Sequence, residues 1–316
     1  MTRVDAMARH EAGSPILVSW RDAMLAALLA SLGHGRWWLA ALASFLVRGG
    51  LIALLPAIVV LPTPAELAVN LDPSLTGDAP GALTPALVGL LVRLLVVATI
   101  VLLATTALGV RLEDELVTAA TADEELAALV GTSRIRHAPL GRAVAARLLA
   151  HLPTLGAVLV GGRALADAAY AELVAPSSVG PLVARIVSDA PLGAVLIVMA
   201  WLVGETWGGL AVRRLAAGDP VGRAMASGLL RVVRPTGLAT LALTSIAVLL
   251  PAVALWLATS RAFDRLWPLV VDRADPWLVG VALGLLVASW GAGLWLLAIG
   301  LAFRSAAWTA EGLRSS

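Results

Sequence analysis

The 316-residue chain contains no cysteine and no lysine, and it carries few charges of either sign. The absence of cysteine excludes disulfide bonds and thiol chemistry. Only 14% of the residues are charged, whereas soluble domains carry about 25%. All 23 basic residues are arginines that are spread along the chain, which argues against a nucleic-acid partner. Because 59% of the residues are hydrophobic, we predict an all-α polytopic membrane protein.

The signatures of common enzymes are also missing. The sequence has no Walker A loop, no His-Glu-x-x-His helix and no Gly-x-Ser-x-Gly elbow. Histidines and carboxylates do not cluster at metal-ligand spacing, so we predict no metal site, no cofactor and no catalytic residue. The first 36 residues lack a short apolar run followed by a cleavage site, and we expect a cytoplasmic N-terminal segment there.

Six apolar stretches have about the 20 residues that a membrane-spanning helix needs. We predict a six-helix transmembrane domain over residues 37–305, followed by a cytoplasmic tail at 306–316. The predicted spans lie near 37–61, 85–109, 139–162, 190–212, 235–259 and 277–303.

Arginine placement predicts the orientation of these spans, since cytoplasmic loops of membrane proteins are enriched in basic residues. With the N-terminus inside, fourteen arginines fall in cytoplasmic segments and five in outer loops. We therefore expect both termini in the cytoplasm, a location in the bacterial inner (plasma) membrane, and membrane lipids as partners.

A weak internal repeat groups the spans into three helical hairpins. Each returning span opens with a capping residue and a proline, as helices commonly begin: Thr84-Pro85, Asp189-Ala190-Pro191 and Asp275-Pro276. Amphipathic cytoplasmic stretches at 15–34, 113–130 and 219–233 precede the outgoing spans. The alternative is that membrane helices of bacterial proteins all look alike at this level.

Ionisable residues inside the predicted spans give the strongest functional signal, since a central arginine costs roughly 2.5–3.5 kcal/mol to insert. Arg48, Arg147 and Glu205 lie at similar depths, so we expect Glu205 to pair with Arg48 or Arg147. Arg93 has no acidic residue at its level and is expected to face water or a lipid headgroup. His151 is expected to be a hydrogen-bonded interior residue.

Two interpretations of these residues stay open. They form a buried ion pair that fixes helix register, or they bind an anionic group and line a gated polar pathway. Gly49 and Gly50 would allow a neighbouring helix to approach Arg48 closely. The acidic run at 113–125 is expected to be a solvated helix face, with docking of a basic partner or binding of a cation as the alternatives. Residues 261–274 are expected to form an interfacial segment with Phe263 and Trp267 at headgroup level.

The segment from Asp219-Pro220 to Leu249-Leu250-Pro251 is echoed by the segment from Ser14-Pro15 to Leu54-Leu55-Pro56. In this layout the chain resembles uncharacterised bacterial six-helix membrane proteins, including the membrane domain attached to some glycerophosphodiester phosphodiesterases. The resemblance covers roughly residues 14–305. It implies no catalytic residue, because the phosphodiesterase active site belongs to a separate soluble domain.

Glu124-Glu125-Leu126 with Arg134 and Arg136 leads into the third predicted span. This approach is similar to that of the permease subunits of ABC-2 type exporters, which implies a homo-oligomer working with a separate ATPase. Our leading prediction is a non-enzymatic transport, lipid-handling or membrane-assembly component. The alternatives are such a permease and, third, an intramembrane or lipid-modifying enzyme that uses His151.

Overall fold

The computed structural model describes residues 19–54, 84–124, 126–127, 137–174 and 182–313. These residues form helices and no strand, which confirms the all-α class. The helices are α1 (Trp20–Gly33), α2 (Gly35–Phe45), α3 (Leu51–Leu54), α4 (Pro85–Ala122), α5 (Leu140–Ala150), α6 (Leu152–Val174), α7 (Leu182–Asp189), α8 (Pro191–Ala216), α9 (Val221–Val233), α10 (Pro235–Val271) and α11 (Pro276–Leu313). A π-helical turn, Leu46–Gly50, joins α2 to α3.

Five stretches of the described chain are long and apolar enough to cross a membrane. They are α4, the α5–α6 pair from Leu140 to Glu172, α8, α10 and α11. These correspond to the last five predicted spans and support a membrane location. The first predicted span, 37–61, is described only as far as Leu54, and its remaining residues lie outside the described part of the chain.

Two of the three predicted helix starts have the expected capping hydrogen bond. Leu87 N donates to Thr84 Oγ1 at 3.1 Å, and Trp277 N donates to Asp275 Oδ1 at 2.8 Å. Each cap stands directly before the proline that opens the helix, where the missing N–H costs nothing. The third start differs, because Ala190 precedes Pro191 and supplies no side-chain cap.

Several helices continue past their predicted ends, and three of them are especially long. α4 and α11 have 38 residues each and α10 has 37, so each is about 55 Å long against about 30 Å of hydrocarbon. The predicted amphipathic stretch at 113–130 is therefore wrong as a separate helix, since its residues up to Ala122 continue α4. Residues 110–122 contain neither proline nor glycine to end the helix.

The same continuity gives two other predicted segments a helical structure. Residues 261–271 of the predicted interfacial segment are the last turns of α10. Residues 306–313 of the predicted tail are the last turns of α11 and are buried. A helix that is buried on all sides has no amphipathic pattern, so the sequence of these last turns does not show that they belong to the core.

Buried side chains divide the helices into two regions. The packed end comprises α1, α2, α5, α9 and the last turns of α4 (from Thr106), α8 (from Leu202) and α11 (from Leu297). The open end comprises α6 and the first turns of α4, α8 and α11, where most large apolar side chains are exposed. In a membrane protein such exposed apolar surface faces lipid.

The core of the packed end is built around the last turns of α11. Leu297, Leu301 and Phe303 of this helix are buried together with Met24 of α1 and Trp37 of α2. Small residues allow the helices to approach closely. Gly209 of α8, for example, lies against the ring of Trp308, where a Cβ atom would come within 2.5 Å of Cε3.

Glycines also set the antiparallel contacts of the longer helices. A Cβ atom on Gly161 of α6 would lie 2.7 Å from the carbonyl oxygen of Gly193 in α8. On Gly300 of α11 it would lie 2.1 Å from the carbonyl oxygen of Ala247 in α10. At both contacts the two backbones meet directly, which fixes the register of the paired helices.

Candidate functional site

A kink in the first membrane-directed helix places Arg48 at the centre of the packed end. The kink falls in the π-helical turn, where Gly49 has a φ of 102° that an L side chain rarely adopts. The ring of Phe45, the last residue of α2, occupies the space beside Gly50 that a side chain would need. The expectation that Gly49 and Gly50 admit a neighbouring helix is therefore wrong. Gly49 allows the backbone conformation of the kink, and Gly50 leaves room for the Phe45 ring.

The close approach that Arg48 makes is to Gly109 of α4 instead. A Cβ atom at Gly109 would lie 2.5 Å from Arg48 Cγ, so only glycine leaves room for the arginine stem. Ser44 Oγ donates to the Gly109 carbonyl oxygen at 3.1 Å and holds the two helices together there. Arg48 thus passes across α4 towards the carboxylates behind it.

Glu113, one turn after Gly109, is the first of two carboxylates in the network. Its Oε1 accepts a hydrogen bond of 2.7 Å from Arg213 Nη1, and its Oε2 accepts one from Arg147 Nη2. Arg48 Nη1 lies 3.6 Å from the same Oε2. Three helices and the π-helical turn therefore converge on one carboxylate.

Glu205 of α8 is the second carboxylate. Its Oε2 accepts a hydrogen bond of 3.2 Å from Arg304 Nη2 and lies 3.3 Å from Arg48 Nη1. Arg147 Nη1 is 3.6 Å from Oε2 and donates to the Glu205 carbonyl oxygen at 2.9 Å. The expected pairing of Glu205 with Arg48 or Arg147 is confirmed, and both arginines take part.

The network holds more positive than negative charge. It contains four guanidinium groups and two carboxylates, a formal excess of two positive charges: Arg48, Arg147, Arg213 and Arg304 with Glu113 and Glu205. Arg213 is fully buried, and the others are at least nine-tenths buried apart from Arg48. Buried charges are costly unless they are paired, so an excess of one sign needs a compensating group.

Four N–H groups in this region lack a hydrogen-bond partner among the described residues: Arg48 Nη1, Arg147 Nε, Arg304 Nη1 and Trp308 Nε1. Arg48 Nη1 is nevertheless ion-paired, 3.3 Å from Glu205 Oε2 and 3.6 Å from Glu113 Oε2. Arg48, Arg304 and Trp308 line one cavity, in which the centre of a water molecule can occupy about 20 Å³. The remaining lining residues are Ala41, Ser44, Glu113, Leu116, Leu301 and Ser305.

The face of the Trp308 ring contacts two arginines of the network. Arg304 Cζ lies 4.7 Å from the ring centroid, and Arg213 Cζ lies 5.8 Å from it. A guanidinium over an indole face is attracted by the ring quadrupole. Arg213 is fixed further by hydrogen bonds of 3.0 Å to Thr309 Oγ1 and 2.9 Å to the Ser305 carbonyl oxygen. Contacts with neighbouring residues therefore fix the position of Arg304 and Trp308, which line the cavity.

His151 stands at the edge of the network, where α5 ends and α6 begins. Pro153 cannot donate a backbone hydrogen bond to this turn, which explains the interruption between the two helices. His151 Nδ1 lies 2.9 Å from the Arg147 carbonyl oxygen, and Nε2 lies 3.3 Å from Glu205 Oε1. The expectation of a hydrogen-bonded interior histidine is confirmed in its contacts, although 26% of the side chain is exposed.

These contacts weigh against a hydrolytic role for His151. A histidine that activates a serine needs a ring nitrogen free to accept the hydroxyl proton. Here Nδ1 faces the Arg147 carbonyl oxygen and Nε2 faces the Glu205 carboxylate. Neither nitrogen is directed at a nucleophile.

Four of the five site residues predicted from sequence come together in the network, and Arg93 does not. Arg93 is exposed on α4 in the open end, far along the helix from Glu113, and its facing water or a lipid headgroup stays a prediction. Arg48, Arg147, His151 and Glu205 lie in one cluster.

Glu113, Arg213 and Arg304 belong to the site but were not predicted as part of it. Arg213 and Arg304 had been counted as charges of cytoplasmic segments, and Glu113 as part of a solvated acidic run. That expectation is wrong for Glu113 and Asp114, which are buried. Asp114 instead contacts His137 Nδ1 at 2.6 Å. Gly109, one helical turn before Glu113, was the available signal of close packing on this face.

Comparison with protein-family models, with curated proteins and with solved structures found no match to this chain. The site therefore rests on its own geometry.

Proposed function

We propose that this protein is a membrane transport component that binds a small inorganic anion of chloride size in the cavity between Arg48, Arg304 and Trp308. It needs no catalytic chemistry of its own. The observation that carries the proposal is the pair of unpartnered N–H donors, Arg304 Nη1 and Trp308 Nε1, beside one cavity that the ion-paired Arg48 also lines. The cavity lies inside a network with two surplus positive charges. An anion in the cavity would accept from the donors and offset the surplus charge.

The size of the cavity favours a monatomic anion. A water molecule needs roughly 10–15 Å³ of the same kind of volume, and the cavity offers about 20 Å³. A halide is close to water in size, whereas a phosphate group of an inorganic ion or a lipid headgroup is much larger. The indole N–H is a single donor that suits the undirected lone pairs of a halide.

The membrane arrangement that we propose is six spans in three hairpins with both termini in the cytoplasm of a bacterial cell. The arginine distribution supports it. The packed end then lies on the cytoplasmic side, since Arg213 and Arg214 end α8 there. From Pro85, a span of about 20 residues reaches Thr105, so the network beginning at Gly109 lies at the inner boundary of the hydrocarbon layer.

The cysteine-free chain allows a direct test of this orientation. Ala217→Cys, between α8 and α9, should react with a membrane-impermeant thiol reagent only after the cells are opened. Asp272→Cys, between α10 and α11, should react in intact cells. Labelling of both variants in intact cells would contradict the proposed orientation.

The permease alternative gains no support from the structure. It is carried by Glu124-Glu125-Leu126 with Arg134 and Arg136, and of these residues Glu125, Arg134 and Arg136 lie outside the described part of the chain. We favour a component whose own cavity holds the transported ion, because the cavity and its donors lie within the described residues.

Trp308→Phe separates anion binding from a purely structural role of the network. The variant keeps an aromatic ring in the position under Arg304 but removes the indole N–H together with part of the ring volume. Because Trp308 is buried, the smaller ring lowers the basal stability, so the test compares how strongly chloride stabilises each variant and not their stabilities without chloride. With an anion, the lost hydrogen bond to a charge is worth about 1.5–3 kcal/mol, which weakens affinity at least about tenfold.

The measurement is chloride-dependent thermal stabilisation of the purified protein, at constant ionic strength with gluconate as the replacement anion. Ligand binding to the native state raises the melting temperature with concentration. Trp295→Phe, an exposed tryptophan of the open end, is the matched control. Chloride efflux from proteoliposomes should be fast for the wild type and Trp295→Phe and slow for Trp308→Phe.

The experiment also separates the sources of the anion. Phosphate in place of chloride, and vesicles with and without anionic phospholipid, form the other two arms. Stabilisation by phosphate or anionic lipid alone would exclude a halide site. No effect of any anion on a folded protein would show that the network is an ion-pair cluster only.

A further inference from the structure

Both ring nitrogens of His151 face groups that only accept hydrogen bonds. Nδ1 lies 2.9 Å from the Arg147 carbonyl oxygen, and Nε2 lies 3.3 Å from Glu205 Oε1. A neutral imidazole has one N–H and donates to one acceptor only. Both contacts are favourable only when one further proton is present, carried by Nε2 or by the carboxyl group of Glu205.

The two oxygens of Glu205 have different surroundings. Oε1 faces His151, whose side chain is 26% exposed. Oε2 faces Arg48 and Arg304, which line the anion cavity. Among the side chains of the network His151 is the most exposed, since that of Arg48 is 13% exposed and the others 5% or less. Glu205 therefore stands between a partly open histidine and the donors of the cavity.

We propose that His151 and Glu205 form a proton-binding site whose occupancy is coupled to anion binding, so that one proton and one anion are taken up together. The coupling rests on the proposed function, whereas the proton site rests on the His151 contacts alone. Three arginines contact Glu205 directly: Arg48 from the π-helical turn, Arg147 from α5 and Arg304 from α11. Two further charged groups lie behind them, since Glu113 of α4 contacts Arg48 and Arg147, and Arg213 of α8 contacts Glu113.

The charges explain why the two ions would bind together. When Glu205 is ionised, its Oε2 attracts Arg48 and Arg304 and competes with an anion for them. A proton on Glu205, delivered through His151, removes that competition and leaves both arginines to the anion. One proton and one anion add no net charge to the buried network, which avoids the cost of an unpaired buried charge. No bond other than the transferred N–H or O–H changes in this step.

The coupling is tested by chloride affinity as a function of pH, with the thermal-stabilisation assay on the full chain. Affinity of the wild type should rise as pH falls, by up to about tenfold per pH unit for one linked proton. Glu205→Gln mimics the protonated carboxyl group, and its affinity should be high and independent of pH. His151→Gln should flatten the pH dependence. His137→Gln, which removes the histidine beside Asp114, is the control and should retain it.

A second measurement examines the proton site without chloride. The ring ¹⁵N resonances of His151, assigned by their loss in His151→Gln, report which ring nitrogens carry a proton, and they should differ between the wild type and Glu205→Gln. If chloride binds with a pH dependence that neither variant changes, the coupling is wrong while the proposed function stands. If chloride does not bind, the proposed function fails, and unchanged His151 resonances in Glu205→Gln would overturn the proton site as well. If Glu205→Gln does not fold, His151→Gln decides the coupling, and the His151 resonance at high and low chloride decides the site.

Discussion

The packed end and the open end share the helices α4, α8 and α11, yet the side chains of these helices meet different surroundings at the two ends. On α11, Leu296 is 57% exposed while the next residue, Leu297, is fully buried. On α4, every large apolar residue from Leu90 to Leu103 is exposed, whereas Val110, Leu116 and Val117 are buried. Lipid suffices as the solvent for the open end, so only the packed end needs close packing and paired charges.

The difference shows where a membrane protein of this kind can hold charged side chains. Charged groups are costly in the lipid-facing part of a helix. Where helices continue beyond the hydrocarbon and pack against each other, carboxylates and guanidinium groups can offset one another.

Removal of the Glu113 carboxylate should be the most damaging change. Glu113→Ala leaves Arg147 and Arg213 buried without their shared partner, and such a loss typically costs about 3–5 kcal/mol. Glu115→Ala, two residues on and exposed, should cost little. Unfolding in detergent, followed by circular dichroism against denaturant, gives both values. Equal effects would show that burial of Glu113 does not matter.

The adjacent leucines of α11 compare the two ends directly. Leu297→Ala removes a fully buried side chain and should cost about 2–5 kcal/mol. Leu296→Ala, in a lipid-facing position, should change the free energy of unfolding by about 0.5 kcal/mol or less. The same denaturation assay measures both variants, and a reversed order would contradict the assignment of the packed end.

Glycines of α11 provide a steric version of the comparison. Gly300→Ala places a Cβ atom 2.1 Å from the Ala247 carbonyl oxygen and should cost about 1–3 kcal/mol through overpacking. At Gly284 no described atom lies within 4 Å of the added Cβ atom. Gly284→Ala should be neutral or stabilise the helix by up to about 1 kcal/mol. If the melting temperatures of the two variants decrease by the same amount, Gly300 has no close contact with α10.

The smallest effect is expected at the turn between α8 and α9. Asp219 accepts from Arg214 Nε at 2.7 Å and Nη2 at 2.6 Å, but both side chains are partly exposed. Asp219→Ala should therefore cost about 1 kcal/mol or less. A loss as large as that of Glu113→Ala would mean that this turn, and not the buried network, holds the packed end.

Sequence reasoning predicted the open end better than the packed end. Long apolar runs such as 85–105 identify spanning helices by hydropathy alone, and Thr84-Pro85 and Asp275-Pro276 mark two helix starts correctly. Helix ends were not predictable in this way. Nothing in residues 110–122 distinguishes a continuing buried helix from a separate solvated one, because burial depends on the helices that pack against it.

The same reason explains which site residues were found. Arg48, Arg147 and Glu205 stand out since they interrupt apolar runs. Glu113 and Arg213 lie among other charges, so composition gives them no contrast, and only tertiary contacts show that they are buried.

The most direct measurement is an anomalous difference map from crystals of the wild-type protein grown in bromide. We predict one strong peak in the cavity, within hydrogen-bond distance of Arg48 Nη1, Arg304 Nη1 and Trp308 Nε1, that is weakened in Trp308→Phe and unchanged in Trp295→Phe. A cavity without bromide, in a well-ordered map with Arg48 and Arg304 bonded only to Glu113 and Glu205, would contradict the account.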